Sequence, residues 1–132
     1  MLKRLNLEFE HPYNFLLYDH HLSGGVSGEL ISWHLDRPGR KGGSEWSVIS
    51  REHFKNLFSV SCSDNGNVYT VGQDRVMAVT RLETRAKVYS LPCFAGFIYT
   101  VVSNPIEPST LAIGAGNFGF TPIMCINCQR LD

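Results

Sequence analysis

The sequence has no apolar run approaching the ~18 residues that a membrane-crossing helix needs, and its opening, Met1-Leu2-Lys3-Arg4-Leu5, lacks the apolar stretch of a secretory leader. It has no net charge either, since 12 basic side chains balance 12 acidic ones. Bulk attraction to nucleic acid is thereby excluded as an argument, and any anion site must be a local patch. Cysteine is sparse. Cys62, Cys93, Cys125 and Cys128 are dispersed along strands and strand ends, which suits reduced thiols packed as small hydrophobes rather than a disulfide framework. No segment has the periodicity of a useful helix. These absences lead to the expectation of an all-β, intracellular globular chain with no membrane association.

What is present is a repeated strand pair. Ser23 to Leu35 (SGGVSGELISWHL), Thr70 to Leu82 (TVGQDRVMAVTRL) and, more loosely, Ile113 to Asn127 (IGAGNFGFTPIMCIN) each place two alternating strands around a tight turn. The recurrence from Trp33 to Thr80 is roughly 47 residues, and from Thr80 to Cys125 roughly 45, the spacing of WD40 β-propeller blades. Trp33-His34 stands in the Trp-Asp slot of the first copy, Thr80-Arg81 in the second and Cys125 in the third. The third copy is expected to carry about two extra residues around Pro122. Blades are expected over about 1–50, 51–91 and 92–132. A closed propeller needs about four to eight blades, so the expectation is a partial propeller of about three, either a piece of a longer protein or a product short of its family's length.

Leu5 to Phe9 alternates in period two and predicts a strand, followed by a break at His11-Pro12. Asp36 to Gly43 is Gly-rich and basic and reads as an exposed loop. Strands are predicted over Glu45 to Ser50, Asn56 to Ser61, Val68 to Val71, Val76 to Thr80, Lys87 to Leu91, Phe97 to Val102 and Leu111 to Ile113. Asp64-Asn65-Gly66 is a hairpin signal of the kind that accepts positive φ.

Three chemical constellations are weak. Cys125-Ile126-Asn127-Cys128 is a lone Cys-x-x-Cys whose cysteines a strand sends to opposite faces, and His20-His21 has no partner pattern, so no metal is expected. Asp19-His20-His21 lacks a nucleophile elbow or an oxyanion loop, so no enzyme is expected. Gly114-Ala115-Gly116-Asn117-Phe118-Gly119 resembles a phosphate loop but opens no helix, so no cofactor is expected.

In a blade, the connection into the innermost strand and the turn between the second and third strands emerge on the same face. That geometry gathers Lys55, Arg75, Phe97 and Tyr99. Two cations and two aromatics suit a flat anionic ligand, by base stacking and by phosphate contact, with a cation–π gain for a methylated guanine. From pattern alone, the plainer reading of Phe97 and Tyr99 is as core residues of a strand.

The stretch Gln73 to Gly116, through Asp74-Arg75, Leu91-Pro92, Gly96-Phe97-Ile98-Tyr99 and Leu111-Ala112-Ile113-Gly114, resembles the WD40 region of the fifth Gemin (gem-associated) family, the RNA-recognising subunits of the SMN complex. Gly28-Glu29-Leu30-Ile31-Ser32-Trp33 and Leu57-Phe58-Ser59-Val60 fit the same family in order. The resemblance implies recognition of small nuclear RNA at its methylguanosine cap for spliceosomal snRNP assembly. It implies SMN-complex proteins as partners, no DNA, and a cytoplasmic and nuclear-body location. It carries the cap-binding role onto Arg75, Phe97 and Tyr99, with Lys55 where the family has a basic residue. The alternative is a generic WD40 protein-interaction scaffold without RNA binding.

Overall fold

Short segments in which apolar and small polar side chains alternate form strands, because alternation gives each strand one face to bury and one to spare. In the computed structural model the described residues are 2–7, 18–34, 45–63, 65–91, 96–107, 109–116 and 123–127. Eleven strands lie among them: β1 Leu2–Leu7, β2 Tyr18–Gly24, β3 Leu30–His34, β4 Glu45–Ser50, β5 Leu57–Cys62, β6 Asn67–Gly72, β7 Met77–Arg81, β8 Lys87–Leu91, β9 Ile98–Ser103, β10 Thr110–Ala115 and β11 Ile123–Asn127. They make three antiparallel sheets, ordered β1-β2-β3-β4, β5-β6-β7-β8 and β9-β10-β11. The expected break at Pro12, the loop over 36–43, Asp64, Cys93, Cys128 and the end of the glycine-rich turn (117–119) lie outside the described residues.

The first two copies superimpose in hydrogen bonding as well as in sequence. His21 pairs with Trp33 as Val68 pairs with Thr80, and Ser23 pairs with Ile31 as Thr70 pairs with Ala78. Their turns close alike, Gly28 N–H donating to Gly25 O at 3.2 Å and Arg75 N–H to Gly72 O at 3.3 Å. Gly28 and Arg75 occupy the same place and both have positive φ, 87° and 62°. The predicted hairpin at residue 66 also uses positive φ, Gly66 lying at 84°.

The third copy departs from the expected register. Cys125 pairs with Ala112, which is exposed, whereas Ile126 pairs with the buried Leu111. The pairing of β9 with β10 repeats that of β5 with β6, Val101 with Ile113 answering to Val60 with Thr70 and Ser103 with Leu111 to Cys62 with Val68. Leu111 therefore corresponds to Val68 and its partner Ile126, one residue beyond Cys125, to Trp33 and Thr80, and the link between the paired positions is three residues longer than in the other copies, close to the expected lengthening. A period-two strand converts an alignment error of one residue into a swap of faces. The N-terminal strand starts three residues before the predicted Leu5, Leu2 standing opposite Ser23 and Leu7 opposite Tyr18, while the predicted residues 8 and 9 lie outside the described residues.

Alternation splits the core between the two clefts flanking the middle sheet. Leu22, Leu30 and Ile49 of the first sheet meet Leu57, Val60 and Val68 of the second. On its other face the second sheet presents Tyr69, Val71, Met77 and Val79 to Ile98, Val101, Leu111, Ile113 and Ala115 of the third. The Thr80 hydroxyl, on the face that Val68 turns toward the first sheet, is buried without a partner among the described residues. The strands β5 and β9 are also tied through serines. Val101 N–H donates to Ser59 Oγ at 3.2 Å and Ser103 N–H to Ser61 Oγ at 3.0 Å, while Ser103 Oγ donates to Cys62 O at 2.6 Å. These bonds satisfy strand-edge donors that would otherwise template foreign pairing.

Candidate functional site

Two turns and two strand starts meet at one end of the sheets. Gln73 N–H donates to Asn56 O at 2.9 Å, and a Cβ on Gly72 would stand 2.3 Å from that same oxygen. Glycine at 72 thus lets the turn that carries Arg75 lie directly on the loop that carries Lys55. Arg75 adopts the left-handed region, which costs a non-glycine residue roughly 1–2 kcal/mol. Asp74 supports it, its Oδ1 accepting Val76 N–H at 3.2 Å.

Asp74 is itself clamped. His53 Nδ1 donates to its two carboxylate oxygens at 3.0 and 2.9 Å, and His53 Nε2 shares a 2.8 Å hydrogen bond with Thr70 Oγ1. Hydroxyl, imidazole and carboxylate stand in the order of a nucleophilic triad. Their burial decides against that chemistry, since Thr70 is 1% exposed and the His53 and Asp74 side chains are 1% and 0% exposed. No substrate reaches the hydroxyl, and the network serves to fasten the Arg75 turn to the Lys55 loop. In the first sheet the related bond runs from Trp33 Nε1 to Ser23 Oγ at 2.8 Å. Sequence reasoning missed His53 and Thr70, although the alignment of Thr70 with Ser23 and of Thr80 with Trp33 was the signal for them.

The aromatic residues converge beside this clamp. Phe97 immediately precedes β9 and Tyr99 is its second residue, as Phe58 is of β5. The Phe58 and Tyr99 rings stack, with centroids 5.5 Å apart and planes at 14°. Phe97 meets both edge-on, at 6.5 Å from Phe58 and 6.3 Å from Tyr99. Such contacts are worth about 0.5–1.5 kcal/mol each beyond the area they bury. Tyr99 is nevertheless 53% exposed, and Phe97 is half-buried. Gly116 makes the room. Its N–H donates to Phe97 O at 2.8 Å, and a Cβ there would fall 2.6 Å from a Tyr99 ring carbon.

The structure thus joins Phe97 and Tyr99 in one cluster, adds Phe58, and carries Lys55 and Arg75 on a loop and a turn joined by the Gln73–Asn56 hydrogen bond. Phe58 was legible only as the residue after the first buried position of an inner strand, the place that Tyr99 holds after Ile98. Lys55 and Arg75 are exposed, and among the described residues neither makes an ion pair. Val26 and Phe54, on the adjoining turn and loop, are exposed large apolar side chains.

Three antiparallel sheets packed face to face through successive clefts define the class, a partial WD-repeat β-propeller. Among solved structures the chain is similar to the Myceliophteria thermophila Cps50 (Swd1) β-propeller domain, with a TM-score of 0.62 and 17% identity over 81% of this chain and 34% of that one. Among curated proteins it is similar to Gem-associated protein 5 of Mus musculus, at 26% identity over 102 residues. That match covers 73% of this chain and 7% of the relative, so the chain spans a small fraction of the relative's length. No family model matches the chain.

Proposed function

We propose that the rim formed by Lys55, Arg75, Phe58, Phe97 and Tyr99 binds RNA, in particular the methylguanosine cap region of small nuclear RNA. The observation that carries this reading is the placing of a partly exposed three-ring cluster at the same end as two exposed cations that make no ion pair among the described residues. A base stacked on an aromatic ring gains about 1–3 kcal/mol, a cationic methylguanine gains a cation–π contribution as well, and Arg and Lys contact phosphate. The similarity to Gem-associated protein 5 supports this reading. With it come SMN-complex proteins as partners, a role in snRNP assembly, and residence in the cytoplasm and nuclear bodies. The chain acts as a binding module.

A second reading has its own support. Val26 is 78% and Phe54 72% exposed, an apolar pair suited to a peptide on a protein-interaction scaffold. Fluorescence titration with methylguanosine cap analogue against unmethylated guanosine triphosphate separates the two. Saturable, methyl-selective quenching that Phe97→Ala abolishes and Phe54→Ala leaves intact is the expected result. A folded protein that shows no such quenching would leave the scaffold as the better account.

A further inference from the structure

The loop that leads from the first sheet into β5 carries an aromatic side chain that cap binding by the ring cluster leaves unused. Phe54 is 72% exposed, and Lys55 after it is exposed as well. Asn56 O then accepts Gln73 N–H at 2.9 Å, which ties the loop to the turn that carries the exposed Arg75. Leu57 is buried between the first two sheets, and Phe58 stacks on Tyr99 in the ring cluster. Along this one segment the order is therefore an aromatic ring, two cations, and aromatic rings again.

Chain geometry bounds the spacing. An extended backbone advances at most ~3.6 Å per residue, so the Cα atoms of Phe54 and Phe58 lie within about 14 Å of each other. Stacked nucleotides rise ~3.4 Å each, so two bases joined by a bridge of phosphates reach both ends of the segment. The backbone under Phe54 is also fixed from both sides. His53, the residue before it, is buried in its clamp on Asp74. On the first-sheet side Leu57 N–H donates to Gly25 O at 3.1 Å, and a Cβ on Gly28 would stand 2.0 Å from His53 O. An exposed ring on a fastened backbone loses little freedom when a flat ligand settles on it.

We infer that Phe54 is the stacking platform for a second base, that of the nucleotide joined to the cap through its triphosphate, with Lys55 and Arg75 holding the phosphates between the two bases. This rests on the ring cluster being the cap site, and it extends the ligand beyond a single nucleotide. Lys55 and Arg75 make no ion pair among the described residues. Phosphates between two stacked bases meet that charge, whereas an apolar peptide on Phe54 leaves it unmet. Every base offers a π-face, so the platform accepts any nucleotide. The rim then distinguishes a capped RNA from a free methylated guanine nucleotide by the length of the ligand.

Titration of the full chain with methylguanosine triphosphate, and with a cap dinucleotide that carries 2-aminopurine as its second base, tests this. The dinucleotide should bind about fivefold or more tightly, the contribution of one stacked base, and its 2-aminopurine emission should be quenched on binding. Phe54→Ala, at an exposed position where circular dichroism verifies folding, should bring the dinucleotide to the affinity of the mononucleotide and restore the emission. The mononucleotide should be unaffected by that change, and Phe54→Tyr should keep both the added affinity and the quenching. Phe97→Ala should weaken both ligands. Equal affinities in the unaltered chain, or a dinucleotide advantage that survives Phe54→Ala, overturn the proposal while the cap site stands, and leave Phe54 to a peptide. A folded chain that binds neither ligand overturns the cap site and this platform together.

Discussion

The same chemical change at two threonines ten residues apart in the second sheet should move stability in opposite directions. Thr80 is 0% exposed, and its Oγ1 has no hydrogen-bond partner. Thr70, 1% exposed, holds His53 Nε2 at 2.8 Å. Replacing a hydroxyl by a methyl keeps the shape, so no cavity term enters. A buried polar group without a partner costs about 1–3 kcal/mol of desolvation. Thr80→Val relieves that cost and should stabilise the chain by about 1 kcal/mol, with the higher strand preference of valine acting in the same direction. Thr70→Val instead transfers the cost to His53, whose second nitrogen becomes the unpartnered buried atom, and should destabilise by about 1–3 kcal/mol. Urea denaturation reads both as shifts of the midpoint at constant slope, and thermal unfolding should follow at very roughly 3–6 °C per kcal/mol for a chain of this size. The reasoning is refuted if Thr80→Val destabilises by more than about 1 kcal/mol, or if the two variants shift the midpoint in the same direction.

Asp74→Ala should cost about 3–5 kcal/mol, because it leaves a buried imidazole without its carboxylate and the left-handed Arg75 without its brace. Adding His53→Ala should cost much less than a second independent loss, which a double-mutant cycle in urea measures. Gly28→Ala should destabilise by at least about 2 kcal/mol, since its φ is 87° and the new Cβ would stand 2.0 Å from His53 O; thermal unfolding checks this. Gly116→Ala should displace the Tyr99 ring, altering near-ultraviolet circular dichroism and weakening cap-analogue binding by up to about 1 kcal/mol. Its unfolding midpoint should fall by less than that of Gly28→Ala.

The fold was legible because its signals are local and repeated. Two copies in register, Ser23 with Thr70 and Gly28 with Arg75, announce the same turn between the same strands. The third copy was misplaced by a residue because it carries no tryptophan to mark the slot and its turn is longer than those of the first two copies. Only the strand pairing, in which Leu111 answers to Val68, shows that Ile126 and not Cys125 takes the slot. Of the candidate site, Lys55, Arg75, Phe97 and Tyr99 could be named from blade topology. Phe58 could not, because its significance is a ring stacked on a residue from another sheet.

By itself the sequence determined that the chain is built from short alternating strands in a blade-length repeat, with charge too evenly balanced for anything but a local anion site. Those properties follow from side-chain period and composition, which each segment carries independently of the rest. The tertiary structure alone decided that Asp74 is fastened by His53, itself held by Thr70, that a triad-like trio is sealed from substrate, and that three rings at the starts of two inner strands share one cluster. Each of these is a contact between residues distant along the chain, and its chemistry depends on distances and burial that exist only once the sheets have packed.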